Sequence, residues 1–429
     1  MRGVNQRVLM AGAGVAAISL AFAAAAQAQE TVTLWSHWAD HETKVAFVEQ
    51  AARNFEDKNS GTKVEITWYQ KPPLYAALKT ALRAGEAPDV FYSEPDQVEY
   101  IDNGFLYPLD DAVDWDNVED WARDVWTFDG KTYGLPLETF TVELYYNRDL
   151  MKQLGIELPK GGQVDQARFK DIVKAAADAG ITPIVQGVGD RPYPGAYLTH
   201  ELLLKKLGKE DYGKLLNGQL SFQDQRVREV FEYVKELVDL GAYPESFSTL
   251  KLGESHYYFH TSPGGLMFPM GSWYTSRAFN PPDKGGQPKD FPLGIMQIPV
   301  PDGAACPSCK TTAVGGSYSV NAESEHPELA AALVNEMASV DMGNLWLGTV
   351  LVQTGVKTEP SKITGEYAPY FQELAAINAD ADYFIGIPQH HMRGQCAETF
   401  EQVMNTAFPA GLMEVDEVME AMDAACYQG

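Results

Sequence analysis

TVTLWSHWADHETKVAFVEQAARNFEDKNSGTKVEITWYQKPPLYAALKTALRAGEAPDVFYSEPD, residues 31–96, decides the fold class. Thr31-Val32-Thr33-Leu34-Trp35 alternates in the manner of a half-buried strand. Val45, Val48, Ala52 and Phe55 then share one helical face, and Gly61 follows as a stop. Residues 63–68 read as a second strand, residues 74–84 as a helix closed by Gly85, and residues 89–92 as a third strand. Strand, helix, strand, helix, strand is the opening of an α/β sheet wrapped by helices.

The same alternation returns downstream. Phe169, Ile172, Val173 and Ala176 mark a helix, residues 183–186 a strand, and Val227, Val230, Val234 and Leu237 a longer helix. The run 264–270 is apolar and bounded by glycines, as a fully buried strand is, and residues 293–298 and 317–320 read as further strands. From His326 onward the pattern is nearly all helical, starting at Pro327 and ending with Val415, Val418 and Met422 on one face. At 429 residues the chain exceeds a single simple core, so two α/β lobes with a helical C-terminal part are expected.

Upstream of residue 31, Arg2 and Arg7 precede an apolar stretch from Val8 to Ala26, and Ala26-Gln27-Ala28 offers small residues for cleavage. That order is a secretory signal over 1–28, cleaved near Ala28, and it places the mature chain in the periplasm. The formal net charge of −26 becomes −28 without Arg2 and Arg7, which disfavours nucleic acid and anionic membranes as partners. Export favours pairing of the four cysteines, Cys306 with Cys309 and Cys396 with Cys426. The CxxC has no second CxxC to complete a zinc site, and neither a metal nor a cofactor is expected.

Aromatic and acidic residues gather at the strand ends, where open α/β sheets bind ligands. Trp35-Ser36-His37-Trp38 ends the first strand, Tyr92-Ser93-Glu94-Pro95-Asp96 the third, and Gly271-Ser272-Trp273-Tyr274 follows the buried run. Ring faces against C–H patches, with carboxylates and amides accepting hydroxyl hydrogens, are what a sugar needs. Trp35 fits a core strand position as well as a ligand contact. Trp38 lies beyond its strand, Tyr92 also fits the core, and Glu94 and Asp96 also fit a helix cap. Trp273 is the strongest stacking candidate. Residues 387–391, with Gln389 and the pair His390-His391, form a polar loop suited to lining a cleft, and neighbouring residues point apart too strongly for a two-histidine metal site.

Several stretches carry a resemblance: residues 31–38, Ala87-Pro88-Asp89-Val90-Phe91, Lys131-Thr132-Tyr133-Gly134-Leu135-Pro136, Leu144-Tyr145-Tyr146-Asn147-Arg148-Asp149-Leu150, Met270-Gly271-Ser272-Trp273 and residues 313–320. In this order they resemble the extracellular solute-binding proteins of ABC importers, in particular the sugar-binding family that includes maltose-binding protein. The resemblance implies a two-lobed periplasmic-binding-protein fold with discontinuous lobes joined by hinge crossings. By position, the N-terminal lobe takes 29–139 and 296–347, and the C-terminal lobe 140–295 and 348–429, with the first crossing at 138–143. It implies a pocket of Trp38, Glu94, Glu138, Trp273 and Gly316 with Arg191 and Tyr193. Arg191 is more basic than the family leads one to expect, and a salt bridge to Glu94 or Glu138 is the favoured reading over contact with an anionic ligand group.

The function implied is that of a monomeric, non-enzymatic receptor that captures a sugar between its lobes and delivers it to membrane permease subunits. A receptor with an aromatic and acidic cage for a polyamine or quaternary ammonium is the alternative. More remote is a secreted glycosidase pairing Glu94 with Glu138 or Glu143.

Overall fold

The computed structural model describes residues 30–261, 264–359 and 363–429, so the expected export signal lies outside the described residues. Among the described residues thirteen strands follow in chain order: β1 (Glu30–Ser36), β2 (Thr62–Trp68), β3 (Val90–Ser93), β4 (Thr127–Phe128), β5 (Lys131–Thr132), β6 (Leu135–Pro136), β7 (Thr139–Asn147), β8 (Thr182–Ile184), β9 (Gly265–Gly271), β10 (Leu293–Met296), β11 (Cys309–Val314), β12 (Ser317–Val320) and β13 (Asp382–Ile385). One sheet has the order β2-β1-β3-β12-β6 and a second has β13-β11-β7-β9-β8, with β10 also on β7; β4 and β5 form a small hairpin. Strand β1 runs parallel to both β2 and β3, as the opening alternation predicts.

Helices pack against each sheet because their apolar residues fall on one face. Helix Glu42–Lys58 buries Lys44, Phe47, Val48, Ala51, Ala52 and Phe55, a stripe with helical spacing. Lys44 is the one charged member of that stripe. Helix Lys71–Ala84 begins on Lys71-Pro72-Pro73, where proline costs no helical hydrogen bond, and ends at Gly85 in the left-handed region (φ 69°). Separate cores sit behind the two sheets: Leu34, Phe47, Phe91 and Trp346 in the first, and Phe169, Leu202, Phe231 and Met267 in the second.

Three stretches of chain run between the sheets, and two fall later than expected. The first passes through residues 137–138, between β6 and β7. The return anticipated near Met296 occurs at residues 315–316. Met296 and Ile298 are buried in the second core, Val300 bridges Asp165, and β11 still pairs with β7. The departure anticipated near Leu347 also shifts, because Trp346, Val350, Val352 and Val356 all pack in the first core. By Tyr367, stacked on Phe279 at 4.2 Å, the chain is with the second sheet. The C-terminal part is mostly helical as predicted, but β13 breaks it by pairing with β11. Cys306 is bonded to Cys309 and Cys396 to Cys426, the expected pairing. Among the described residues no helix is long and apolar enough to cross a membrane.

Candidate functional site

The strand ends of the two sheets face each other across a cavity of about 160 Å3. The connecting stretches form its floor: Gly315 N donates to the Glu138 carbonyl at 2.8 Å, Glu138 N to the Gly316 carbonyl at 2.7 Å, and Thr139 N to the Gln353 carbonyl at 3.0 Å. Contacts across the mouth hold the two sides together. Arg277 lies 3.8 Å from the Asp40 carboxylate and 3.5 Å from His41 Nε2, and Lys284 pairs with Glu42. The Lys71 ammonium stands 6.0 Å from the centre of the Tyr193 ring.

On the side of the first sheet, nearly every charge has its partner within the protein. Lys44, 4% exposed, pairs with Glu138, 8% exposed. Burial pulls the Lys44 ammonium below its ordinary pKa, opposed by the Glu138 carboxylate. Glu94 accepts from Lys71 Nζ at 2.5 Å, from Tyr92 OH at 2.7 Å and from Tyr75 OH. Burial acts against its charge, but the ammonium and these three donors outweigh it and hold the carboxyl below the usual range. The His37 ring meets Tyr92 edge-on at 4.2 Å, and burial, reinforced by Lys71, keeps the imidazole neutral. Asp96 has no ion-pair partner among the described residues. Desolvation by its cleft neighbours and the Glu94 charge push its carboxyl up to about 7, although the residue itself stays solvent-exposed.

The second sheet contributes side chains of another kind. Trp273 follows β9 and lies half-buried, flanked by the His256 ring at 5.4 Å and Tyr193 at 6.5 Å. Arg191 and Tyr193 come from the loop after β8, and Gln389 and His390 from the short helix Pro388–His391. Gln389 Oε1 and His390 Nδ1 have no hydrogen-bond partner, and Arg191 makes neither hydrogen bond nor ion pair among the described residues. The expected Arg191 salt bridge is not formed, because Lys71 and Lys44 occupy Glu94 and Glu138.

Eight of the nine anticipated site residues line this cavity: Trp38, Tyr92, Glu94, Glu138, Arg191, Tyr193, Trp273 and Gln389. Trp38 and Tyr92, 1% and 2% exposed, form the base of the cavity, where their rings meet at 5.5 Å. Gly316 is a correction: its neighbour Gly315 faces the cavity, and Gly316 instead lies under the Tyr92 and Trp38 rings, where a Cβ would come within 2.7 and 3.0 Å. Glu143, weighed as a hydrolytic partner, sits away from the cavity, fully buried against Lys310 at 2.7 Å. The sequence reading did not single out Lys44, Lys71, Arg277 or His41. Lys44 carried a usable signal, a lysine in register with the apolar face of its helix. The others gave none, since a basic residue near a helix start or in a short turn is ordinary.

A family model for bacterial extracellular solute-binding proteins matches residues 50–350. The chain is 25% identical over 223 residues to an uncharacterized ABC transporter extracellular-binding protein of Pyrococcus horikoshii, covering 50% of this chain and 49% of that one. It is 29% identical over 168 residues to the lactose-binding protein of Rhizobium radiobacter, covering 38% and 39%. These matches span about half or less of the relatives' length. A solved chitin oligosaccharide binding protein superposes with a TM-score of 0.79 at 21% identity, covering 92% of this chain and 97% of that one, which shows a shared fold.

Proposed function

Since the chain belongs to the bacterial extracellular solute-binding proteins, we propose that it is the substrate-binding receptor of an ABC importer, taking up a saccharide. Its two lobes are built on the two sheets, joined by the three connecting stretches, and the solute lies between them. The observation that carries this reading is the cavity itself. Rings of Trp273 and Tyr193 face a base of Trp38 and Tyr92, and unpartnered polar atoms of Gln389 and His390 line the same space. Aromatic faces with a few placed polar groups suit a ring bearing many hydroxyls. The lactose-binding and chitin-oligosaccharide-binding relatives support the same class of solute.

Two other readings find less support. A cage for a cationic solute would not place Lys44, Lys71, Arg191 and Arg277 around its ligand. A glycosidase needs two carboxylates free to act on one bond. Here Glu94 and Glu138 each hold an ammonium group, and Glu143, on β7 of the second sheet, is buried against Lys310.

The receptor works by closure. Solute bridging both walls favours the closed form over an open one, to the extent that it contacts both walls only when they are together. The closed surface is then read by permease subunits at the outer face of the membrane, after export to the periplasm. A thermal-shift screen of the mature protein against neutral and acidic saccharides, polyamines and betaines tests this. Saturating solute should stabilise by roughly 3–4 kcal/mol, and the solute should be recovered chemically intact. Stabilisation by cations alone, or a saccharide recovered hydrolysed, would overturn the reading.

A further inference from the structure

Arg191 stands out among the cations of the cleft. The loop that carries it is pinned immediately before it: Gly189 N donates to the Leu250 carbonyl at 2.9 Å, and Asp190 accepts from Leu252 N at 2.8 Å. The acid next to it in sequence is therefore engaged elsewhere. Glu94 and Glu138 are held by Lys71 and Lys44. Among the described residues no carboxylate oxygen lies within 4.0 Å of the Arg191 guanidinium. A cation drawn from water into a closing cleft is costly unless something there pairs with it.

The wider charge pattern points the same way. The chain carries 33 basic and 59 acidic residues. The cavity wall departs from this excess of acid, with four basic residues against Asp40, Glu94, Asp96 and Glu138. One of those four acids, Asp96, has its carboxyl raised to about 7 by desolvation and by the Glu94 charge, which weakens it as an answer to the cations. A strongly acidic protein thus lines this cavity with as many basic as acidic residues.

We propose that the solute is an acidic saccharide, a uronate or an oligomer containing one, whose carboxylate is received by Arg191. The planar guanidinium offers two parallel donors that match the two oxygens of a carboxylate. Trp273 and Tyr193 take the ring faces, and Gln389 and His390 the hydroxyls. This inference rests on the reading of the chain as a saccharide receptor and narrows its substrate class.

The test is calorimetric titration of the mature protein with hexuronates, uronate-containing oligosaccharides, their neutral counterparts and a hexose phosphate, repeated with Arg191→Gln and Arg191→Lys. A uronate should bind about 10- to 100-fold more tightly than its neutral counterpart. R191Q should erase that preference and R191K, which keeps charge but loses the fork, should restore part of it. Because Arg191 makes no hydrogen bond or ion pair among the described residues, the ligand-free melting temperature of R191Q should match or exceed that of the parent. With the unaltered protein, rising salt should weaken the uronate and leave neutral sugars unaffected. Equal binding of neutral and acidic forms, untouched by R191Q, would overturn the inference and leave the saccharide receptor standing. Tighter binding of the hexose phosphate would overturn the carboxylate assignment. If no saccharide of any charge binds, the receptor reading fails and the inference falls with it.

Discussion

The two walls of the cleft are built on opposite rules. On the side of the first sheet, Lys44 answers Glu138, while Lys71, Tyr75 and Tyr92 answer Glu94, so most polar groups are satisfied within the protein. On the other side, among the described residues, Arg191 is unpaired and Gln389 Oε1 and His390 Nδ1 lack partners, and Trp273 lies half-buried. The difference teaches a division of labour. A wall whose hydrogen bonds are already made keeps its shape without solute, which lowers the ordering that binding must impose. A wall with unmet donors and acceptors gains most when solute arrives, because unmet groups in a closed cleft are unfavourable.

The comparison is broken most directly on the first wall. Glu138→Gln leaves the Lys44 ammonium in a site only 4% exposed with no anion to answer it. Removing one member of a buried pair typically costs about 3–5 kcal/mol, so chemical denaturation should show a loss of that size at neutral pH. A loss under about 1 kcal/mol would mean that the pair is effectively solvated and the wall is not preformed.

On the second wall the expected effect is on affinity more than on stability. Trp273→Ala removes the ring that the cavity presents to solute, and a central aromatic anchor is worth about 2–4 kcal/mol of binding. Calorimetry should therefore show solute affinity falling by roughly 30- to 1,000-fold, with a smaller change in melting temperature than Glu138→Gln produces. Full affinity would show that solute sits elsewhere. Gly316→Ala sharpens the contrast at the base: its Cβ would come within 2.7 Å of the Tyr92 ring and 3.0 Å of Trp38. Both rings are buried, so the strain should destabilise by about 1–2 kcal/mol and lower affinity by tilting the base.

How legible these walls were in the sequence follows from what periodicity reports. The first sheet opens with alternating strands and a helix whose apolar residues share a face, so residues 31–93 could be read almost residue by residue. Helix Tyr197–Leu216 was missed because it is buried on every side from Tyr197 to Leu207 and so has no single apolar stripe. Strand β7 hides for a similar reason, since Thr139 to Tyr146 are all buried and its polar members Thr141 and Glu143 are satisfied internally. The aromatic members of the site were legible from their place after strands. Its ion pairs were not, because Lys44 and Glu138 stand 94 positions apart and meet only through tertiary packing. The misplaced crossings have the same origin: strand pattern marks where a strand lies, and only pairing decides to which sheet it belongs.

The finest test concerns Asp96, the one acid of the first wall that departs from its rule. Its carboxyl is raised from the ordinary 3.8 to about 7 by desolvation first and Glu94 second, with Lys71 opposing. A carboxyl whose folded pKa exceeds its unfolded value binds protons more readily in the folded state, so it disfavours folding above about pH 7, and the penalty fades as pH falls toward 4. Asp96→Asn removes that penalty. The variant should melt higher than the parent at about pH 8, and the gap should close on acidification. Total stability is a poor readout here, because the cleft histidines run the other way. Burial lowers His390 to about 3, so its contribution is lost as pH drops below the unfolded value of 6.5. That background is common to both proteins and cancels in the difference between them. Asp96 also keeps solvent access, and screening makes its effect the smallest of the set. A gap that stays constant with pH would show an ordinary surface carboxylate. A gap that closes near neutrality and reopens when uronate is bound would place the solute's negative charge on the Asp96 side of the cleft, against Arg191.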